Sequence, residues 1–274
     1  MSVDADQSAL AARDRLAEAA REAGALALAF FRHGGATSAR TKSKAGGSPV
    51  TEADLAVDVF LKTRLGEAFP EAGWLSEETA DDPERLERRT LVIVDPIDGT
   101  RAFMGGDPRW AVSVALVADG RPIAGVVHAP ALGETYTSAR GGGAEVNGGL
   151  ISVSAPIDPR RFSAAGPKPV LQAIGARLAA TVEISPRVPS LAYRLCLAAR
   201  GAIDFAVAAG NSHDWDVVAA DLVLEEAGGR LVDASGERLT YNRPHVRRGP
   251  LLATPDALAP RLLVAFRAAT HAGA

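Results

Sequence analysis

The order of patterns along the chain predicts an α/β fold built as a layered sandwich. Three observations carry this. A long helical stretch opens the chain, β-rich segments fill its middle, and short strands alternate with helices through its second half. Helices and sheets each have an apolar face to cover, so elements in this order stack as alternating layers. With 274 residues, the chain is long enough for one large domain or two fused halves with a substantial core.

Residues 8 to 32 are rich in Ala, Leu, Arg and Glu, and His33-Gly34-Gly35 supplies a stop. A polar, basic loop follows, TSARTKSKAGGSP. A second helix starts near Thr51 and carries Leu55, Val59 and Leu65. WLSEET reads as a short extended segment ending in acids, DDPERLERR as a solvated turn or short helix, and LVIVD as a buried strand. WAVSVALVADGRPIAGVVHAP holds two β-rich runs joined around Asp119-Gly120, a hairpin pattern. ETYTSARGGGAEVNGGLISVS adds strands with glycine turns. From residue 157 onward, RFSAAGP, VEISPRV and IDFAVAA read as strands, interleaved with helices over 168–179 and 190–200. A helix over 215–227 stops at Gly228-Gly229, and a terminal helix closes the chain. The change of pattern places a division near residues 150 to 155. The N-terminal half, 1–152, carries most of the acidic candidates, and the C-terminal half, 153–274, packs with it as one unit.

Thirty basic residues stand against 33 acidic ones, for a net charge of −3. No global field therefore invites a nucleic-acid polymer or an anionic membrane, and any affinity for an anion must be local. No apolar stretch reaches the roughly 18 residues of a membrane span. The start, MSVDADQSAL, is too polar and acidic for a signal peptide. One cysteine, Cys196 in LCLAA, leaves no disulfide within the chain and fits a reducing cytoplasm. No base lies near it in sequence, so it reads as a small core residue.

The chemistry gathers in LVIVDPIDGTRAF, residues 91 to 103. An apolar strand runs into Asp95, then Pro96, then Asp98 and Gly99-Thr100. Dry, unpaired carboxylates are costly, so the pair calls for positive charge. Other acids sit at element ends: Asp54 in SPVTEAD, Glu77 and Glu78 after WLS, and Asp216 in the first turn of a helix. Each has a plainer reading. Thr51-x-x-Asp54 is a capping box, Asp216 suits a helix N-terminus, and Glu77-Glu78 is a solvated pair. Together, without a His or Cys cluster, the carboxylates suit a hard cation such as Mg²⁺, and two such ions sharing an aspartate can clamp a phosphoryl group. Gly99 lets a ligand approach the backbone, and a helix starting there would offer free N–H groups to an anion.

DPIDGTRAF resembles the DP[IL]DGT signature of the inositol monophosphatase superfamily of Mg²⁺-dependent, lithium-sensitive phosphatases. WDVVAADLVLEEAGG resembles the second signature of that family, and SPVTEAD and LSEET match two further acidic elements in the same order, so the resemblance spans about residues 10 to 265. It implies an αβαβα sandwich of the sugar-phosphatase type, usually a homodimer, with two to three Mg²⁺ ions per active site. Glu77, Asp95 and the Ile97 carbonyl would hold the first ion, and Asp95, Asp98 and Asp216 the second. Glu77 would touch a third, weaker ion with Asp54 nearby. Thr100 would pair with Asp54 and, with Glu77, orient the attacking water, while the Gly99 and Thr100 N–H groups hold the phosphate. The implied reaction is in-line hydrolysis without a covalent phospho-enzyme.

Departures from the family pattern bear on the substrate. Where inositol monophosphatases read DGTTNF, this chain has Arg101-Ala102. Six residues before Trp215, where they carry a glutamate for inositol hydroxyls, it has Ala209. Arg194 in SLAYRLCLAARG replaces an aspartate. The CysQ-type 3′(2′),5′-bisphosphate nucleotidases look nearer, with lysine at both arginine positions, and arginine is well built for bidentate contact with a second phosphate. The substrate-side set is then Gly99, Thr100, Arg101, Ser190 and Arg194. Expected activity is removal of the 3′-phosphate from 3′-phosphoadenosine 5′-phosphate. Alternatives are an inositol-1-monophosphatase, a histidinol-phosphate phosphatase, which shares the basic residue at 101, and a non-catalytic regulator that binds metal and phosphate. The intact acidic set argues against the last. Lys42 and Lys44 lie in the basic loop and have two readings, a cap over the open site and a solvated loop, of which the second is expected; His213, a candidate for the cleft mouth, reads rather as structural or solvated. Trp215 reads as packing that positions Asp216.

Overall fold

The computed structural model describes residues 3–44, 47–155 and 158–271. Ala45 and Gly46 of the basic loop, Pro156 and Ile157 near the chain's midpoint, and the first two residues of the acidic start lie outside them.

Helix α1 (Val3–Leu28) opens the chain. It stops short of the expected 32 because Ala29, Phe30 and Phe31 bond back three residues instead of four, to Leu26, Ala27 and Leu28. That tightening brings Phe31 inward, its ring 5.8 Å from Phe103 and 5.6 Å from Trp110. A small hairpin, β1 (Thr41–Ser43) and β2 (Pro49–Thr51), leads into α2 (Glu52–Ala68). Then come β3 (Gly73–Ser76), a 3₁₀ turn at Pro83–Glu87, β4 (Thr90–Asp98) and the short α3 (Thr100–Gly105). Strands β5 (Ala111–Ala118), β6 (Arg121–Ala129), β7 (Glu134–Ala139), β8 (Gly143–Val146) and β9 (Gly149–Leu150) follow. Thereafter strands and helices alternate: β10 (Arg161–Ala165), α4 (Lys168–Leu178), β11 (Thr181–Ile184), α5 (Leu191–Ala199), β12 (Phe205–Ala208) and β13 (Ser212–His213). The chain continues through α6 (Asp214–Glu226), β14 (Gly229–Asp233), β15 (Arg247–Arg248), β16 (Leu251–Pro255) and α7 (Ala259–His271). β11 ends before the expected VEISPRV does, at Ile184, because Pro186 cannot continue a ladder.

Strands β3 to β9 form one sheet in sequence order, parallel only between β3 and β4. The second sheet runs β11-β10-β12-β16-β14. Helices α1 and α2 cover the outer face of the first sheet. Helices α5 and α6 lie between the two sheets. Helices α4 and α7 cover the far face of the second. The order is therefore αβαβα. Helices on both faces of the first sheet explain why Leu91 to Val94 is an unbroken apolar run and not an alternating one. Cys196 is fully buried in the central layer.

Close packing of α1 on the first sheet depends on Gly24. A Cβ there would lie 2.5 Å from the His128 ring and 2.8 Å from Pro130. His128 cannot swing away freely, because its Nδ1 lies 2.9 Å from the Thr135 hydroxyl. Gly24→Ala is therefore expected to destabilise the fold by about 1–3 kcal/mol, although alanine is the better helix former. Urea denaturation of the two proteins measures this.

Candidate active site

β4 pairs with β5 as an even ladder until Asp95, which faces Ser113; the next paired residue is Asp98, which faces Ala111. Three steps on β4 thus match two on β5, a one-residue bulge. Its effect follows from strand alternation. Leu91 and Ile93 face the central helical layer, and Val92 and Val94 face α1 and α2. Simple alternation would send Asp95 inward and Asp98 to the opposite face. With the bulge, Ile97 drops into the α1–α2 core instead, and Asp98 joins Asp95 on the inner face. Pro96 is tolerated in a central strand because a bulge needs no ladder N–H from it.

Asp98 meets α5 there. Its Oδ2 accepts from the Ser190 hydroxyl at 2.6 Å and from the Ala192 N–H at 2.6 Å. Asp95 accepts at Oδ1 from the Ile97 N–H at 3.1 Å, while its buried Oδ2 has no partner among the described residues. Asp54 is held as the reciprocal member of a capping box. Its Oδ2 accepts from the Thr51 N–H at 2.8 Å and from the Thr51 hydroxyl at 2.6 Å. Its other oxygen lies 3.2 Å from the Thr100 hydroxyl, which is also 3.2 Å from the Ile97 carbonyl. The cap and the site role are thus carried by different oxygens of one carboxylate. Asp216 is placed the same way on α6, with Oδ2 accepting from the His213 N–H at 2.6 Å.

Glu77 follows β3. Asp58, buried on α2, grips the chain on both sides of it, accepting from the Ser76 hydroxyl at 2.5 Å and the Thr79 hydroxyl at 2.6 Å. Asp58 has no signal in the sequence, where it is one more acid on a helix. Lys44 is not a solvated loop residue. Its Nζ lies 2.8 Å from both Glu77 and Glu78, so these two acids are not a free pair either. Lys42 remains exposed. His213 stacks on Trp215 with ring centroids 4.6 Å apart, in keeping with a structural role.

One carboxylate oxygen each from Glu77, Asp95 and Asp216 fall within 4.8 Å of one another. Such a group is short of positive charge. Burial, and then Glu77, Asp98 and Asp216, push Asp95 well above the ordinary carboxylate range. Burial and the neighbouring Asp216 raise Asp98 to about 7. Burial also raises Asp54, and it raises Glu77 against the pull of Lys44. The orphaned Asp95 Oδ2 and an all-oxygen donor set fit a hard divalent cation, which would take the place of protons on these carboxylates.

The acids open onto a cavity of ≈ 210 Å³ that Asp95, Asp98, Thr100, Arg101, Arg187 and Asp216 help to line. Gly99 has φ +94°, and a Cβ on it would lie 3.3 Å from the Ser190 nitrogen, so glycine is required at this turn. Arg101 is exposed at the rim. Two expected substrate contacts are placed elsewhere. Ser190 is fully buried and commits its hydroxyl to Asp98 and to capping α5. Arg194 is half-buried on α5, close enough to Asp98 and Arg187 to feel their charge but not among the cavity-lining residues, and its Nε has no partner among the described residues. Arg187 lines the cavity too; within VEISPRV it reads as a strand residue outside every motif, and only the early end of β11 at Ile184 leaves it on the connecting segment.

Residues 12–271 match the sequence model of the inositol monophosphatase family. The chain is similar to a 3′(2′),5′-bisphosphate nucleotidase CysQ of Aggregatibacter actinomycetemcomitans, at 34% identity over 82% of this chain and 86% of that one. It is also 38% identical to a histidinol-phosphatase of Mycobacterium tuberculosis, over 74% and 80% of the two chains. Its fold is similar to that of the Thermotoga maritima IMPase, with a TM-score of 0.80 and 26% identity, covering 94% and 98% of the two chains.

A cation that relieves the carboxylate repulsion stabilises the folded state by mass action. Mg²⁺ is expected to raise the melting temperature, and Asp95→Asn to abolish most of that rise. The sign with pH follows from the raised carboxylates. Protons must leave before the cation enters, so the Mg²⁺-induced shift is larger at pH 8 than at pH 6, where Asp98, raised to about 7, still holds its proton. Differential scanning fluorimetry at the two pH values checks both.

Proposed function

The chain belongs to the inositol monophosphatase family and is a metal-dependent phosphomonoester hydrolase, and we propose that it acts on a small phosphate ester bearing a second anionic group. The proposed substrate is 3′-phosphoadenosine 5′-phosphate, which loses its 3′-phosphate. The observation that carries this reading is the exposed Arg101, which shares one cavity with the carboxylates and forms no side-chain hydrogen bond or ion pair with a described residue. The similarity to a bisphosphate nucleotidase supports it. Arg194, in this reading, adds positive potential near Asp98 without lining the cavity.

The proposed roles are these. Glu77, Asp95 and the Ile97 carbonyl would hold one Mg²⁺, Asp95, Asp98 and Asp216 would hold a second, and Glu77 with Asp54 nearby would serve a third, weaker ion. The chemistry Mg²⁺ supplies at such a site is that of a Lewis acid, which activates water as nucleophile and neutralises charge on the transferring group. The protein's part is positioning. Asp54 Oδ1 lies 3.2 Å from the Thr100 hydroxyl. Donation to Asp54 leaves the Thr100 oxygen free to accept from the attacking water, with Glu77 on its other side. The Gly99 and Thr100 N–H groups face the phosphate at a turn where no side chain stands between backbone and ligand. Inhibition by lithium and a homodimeric state are proposed on the family resemblance, and a cytoplasmic location on the single cysteine.

The second reading, a histidinol-phosphatase, is favoured by the 38% identical relative, and inositol 1-phosphate is the third candidate. A panel of the three esters with Mg²⁺, with and without lithium, decides among them. The bisphosphate nucleotide is expected to give the highest kcat/KM. Faster turnover of inositol 1-phosphate or histidinol phosphate would overturn the substrate assignment. Asp95→Asn is expected to lower turnover of the best ester by about 10²–10³-fold or more, with an unchanged circular dichroism spectrum. Unchanged turnover in that variant would refute the metal assignment.

A further inference from the structure

We infer that Arg187, together with Arg101, forms the subsite for the substrate's second anionic group and sets the preference for doubly anionic esters. This rests on the proposed function and names the residue that reads the second charge. Arg187 lies between β11 and α5 in the segment Ser185-Pro186-Arg187-Val188-Pro189-Ser190. The segment is held along its length. The Ser185 N–H donates to the Ala164 carbonyl at 2.8 Å, Val188 is buried in the central core, and Ser190 is locked onto Asp98. Pro186 and Pro189 fix two further backbone angles. With Val188 and Ser190 turned inward, Arg187 and Pro189 are left on the cavity wall. The arginine is thus carried by a stiff, anchored segment, and little backbone freedom is lost when it takes hold of a ligand.

Its charge is unspent. Arg187 is exposed and makes no side-chain hydrogen bond or ion pair with a described residue. Asp107 is near enough to feel Arg187, but that acid is first engaged by Arg109, at 2.6 Å and 2.8 Å. Arg101 stands on the same cavity in the same unpaired state. The segment's far end packs on the phosphate turn, since Ser190 abuts Gly99. A phosphate at Gly99-Thr100 would therefore lie beside both arginines, and a planar guanidinium is suited to bidentate contact with a further phosphate or carboxylate. Arg194 has no place on this wall.

The test is steady-state kinetics of Arg187→Gln and Arg187→Lys on 3′-phosphoadenosine 5′-phosphate and on adenosine 3′-phosphate, which lacks only the second phosphate. Arg187→Gln is expected to lower kcat/KM on the bisphosphate at least tenfold more than on the monophosphate, mainly through KM, and Arg187→Lys to recover part of the difference. An equal fall on both esters, or no fall on either, would overturn the assignment. If the wild type turns over inositol 1-phosphate and not the bisphosphate, the nucleotidase reading fails while the subsite is still tested, by using both adenosine phosphates as competitive inhibitors. Weaker inhibition of Arg187→Gln by the bisphosphate alone supports the subsite, and unchanged inhibition constants refute it.

Discussion

The site depends on one extra residue in β4. The bulge at Pro96 turns Asp98 onto the face that already holds Asp95, so two carboxylates from one strand point into the central layer. Without it, Asp98 would face the α1–α2 core, where Ile97 now sits. The second sheet and the central helices then bring the remaining parts to that strand end. α6 contributes Asp216, α5 binds Asp98 at its first turn, and the segment before α5 contributes Arg187.

Like charges brought together in this way oppose folding, and the structure shows what offsets them. Asp54 and Asp216 each give one oxygen to a backbone N–H at the start of their own helix, a placement favoured by the helix dipole. Asp98 is offset by the Ser190 hydroxyl and the Ala192 N–H, and Glu77 by Lys44. Asp95 has the least. One of its oxygens is buried and unpartnered, and it is the acid that burial and its neighbours push well above its ordinary range. A helix cap fixes a carboxylate's rotamer while leaving its second oxygen free, so local helix stability and the shape of the site come from the same bond. Strain kept at one strand end in this way is common where function requires it.

The layering was legible in the sequence because each layer has its own pattern: a long Ala-Leu helix, an unbroken apolar β4, and later helices punctuated by glycine and proline. The acids were legible because they stand at element ends in recognisable motifs. What was not legible depends on contacts distant in sequence. Lys44 reaches Glu77 across 33 positions, and Asp58 holds Ser76 and Thr79 from another element. Ser190, which motif position offers to the substrate, faces inward because α5 begins at Leu191 with Ser190 as its cap, and Arg194 is half-buried on the same helix, off the cavity lining. Arg187 stands outside any motif, and only the packing of its segment against Gly99 brings it to the cavity.

Everything proposed for the site requires that Glu77, Asp95 and Asp216 gather divalent cations around Asp95. The most direct measurement is anomalous diffraction from crystals grown with Mn²⁺, which scatters strongly where Mg²⁺ does not. Expected are anomalous peaks at this strand end, one within bonding distance of Glu77 and Asp95 and one of Asp95, Asp98 and Asp216, with Lys44 moved off Glu77. Fully active enzyme whose Mn²⁺ crystals show no peak there, and Lys44 still paired with Glu77 and Glu78, would contradict it.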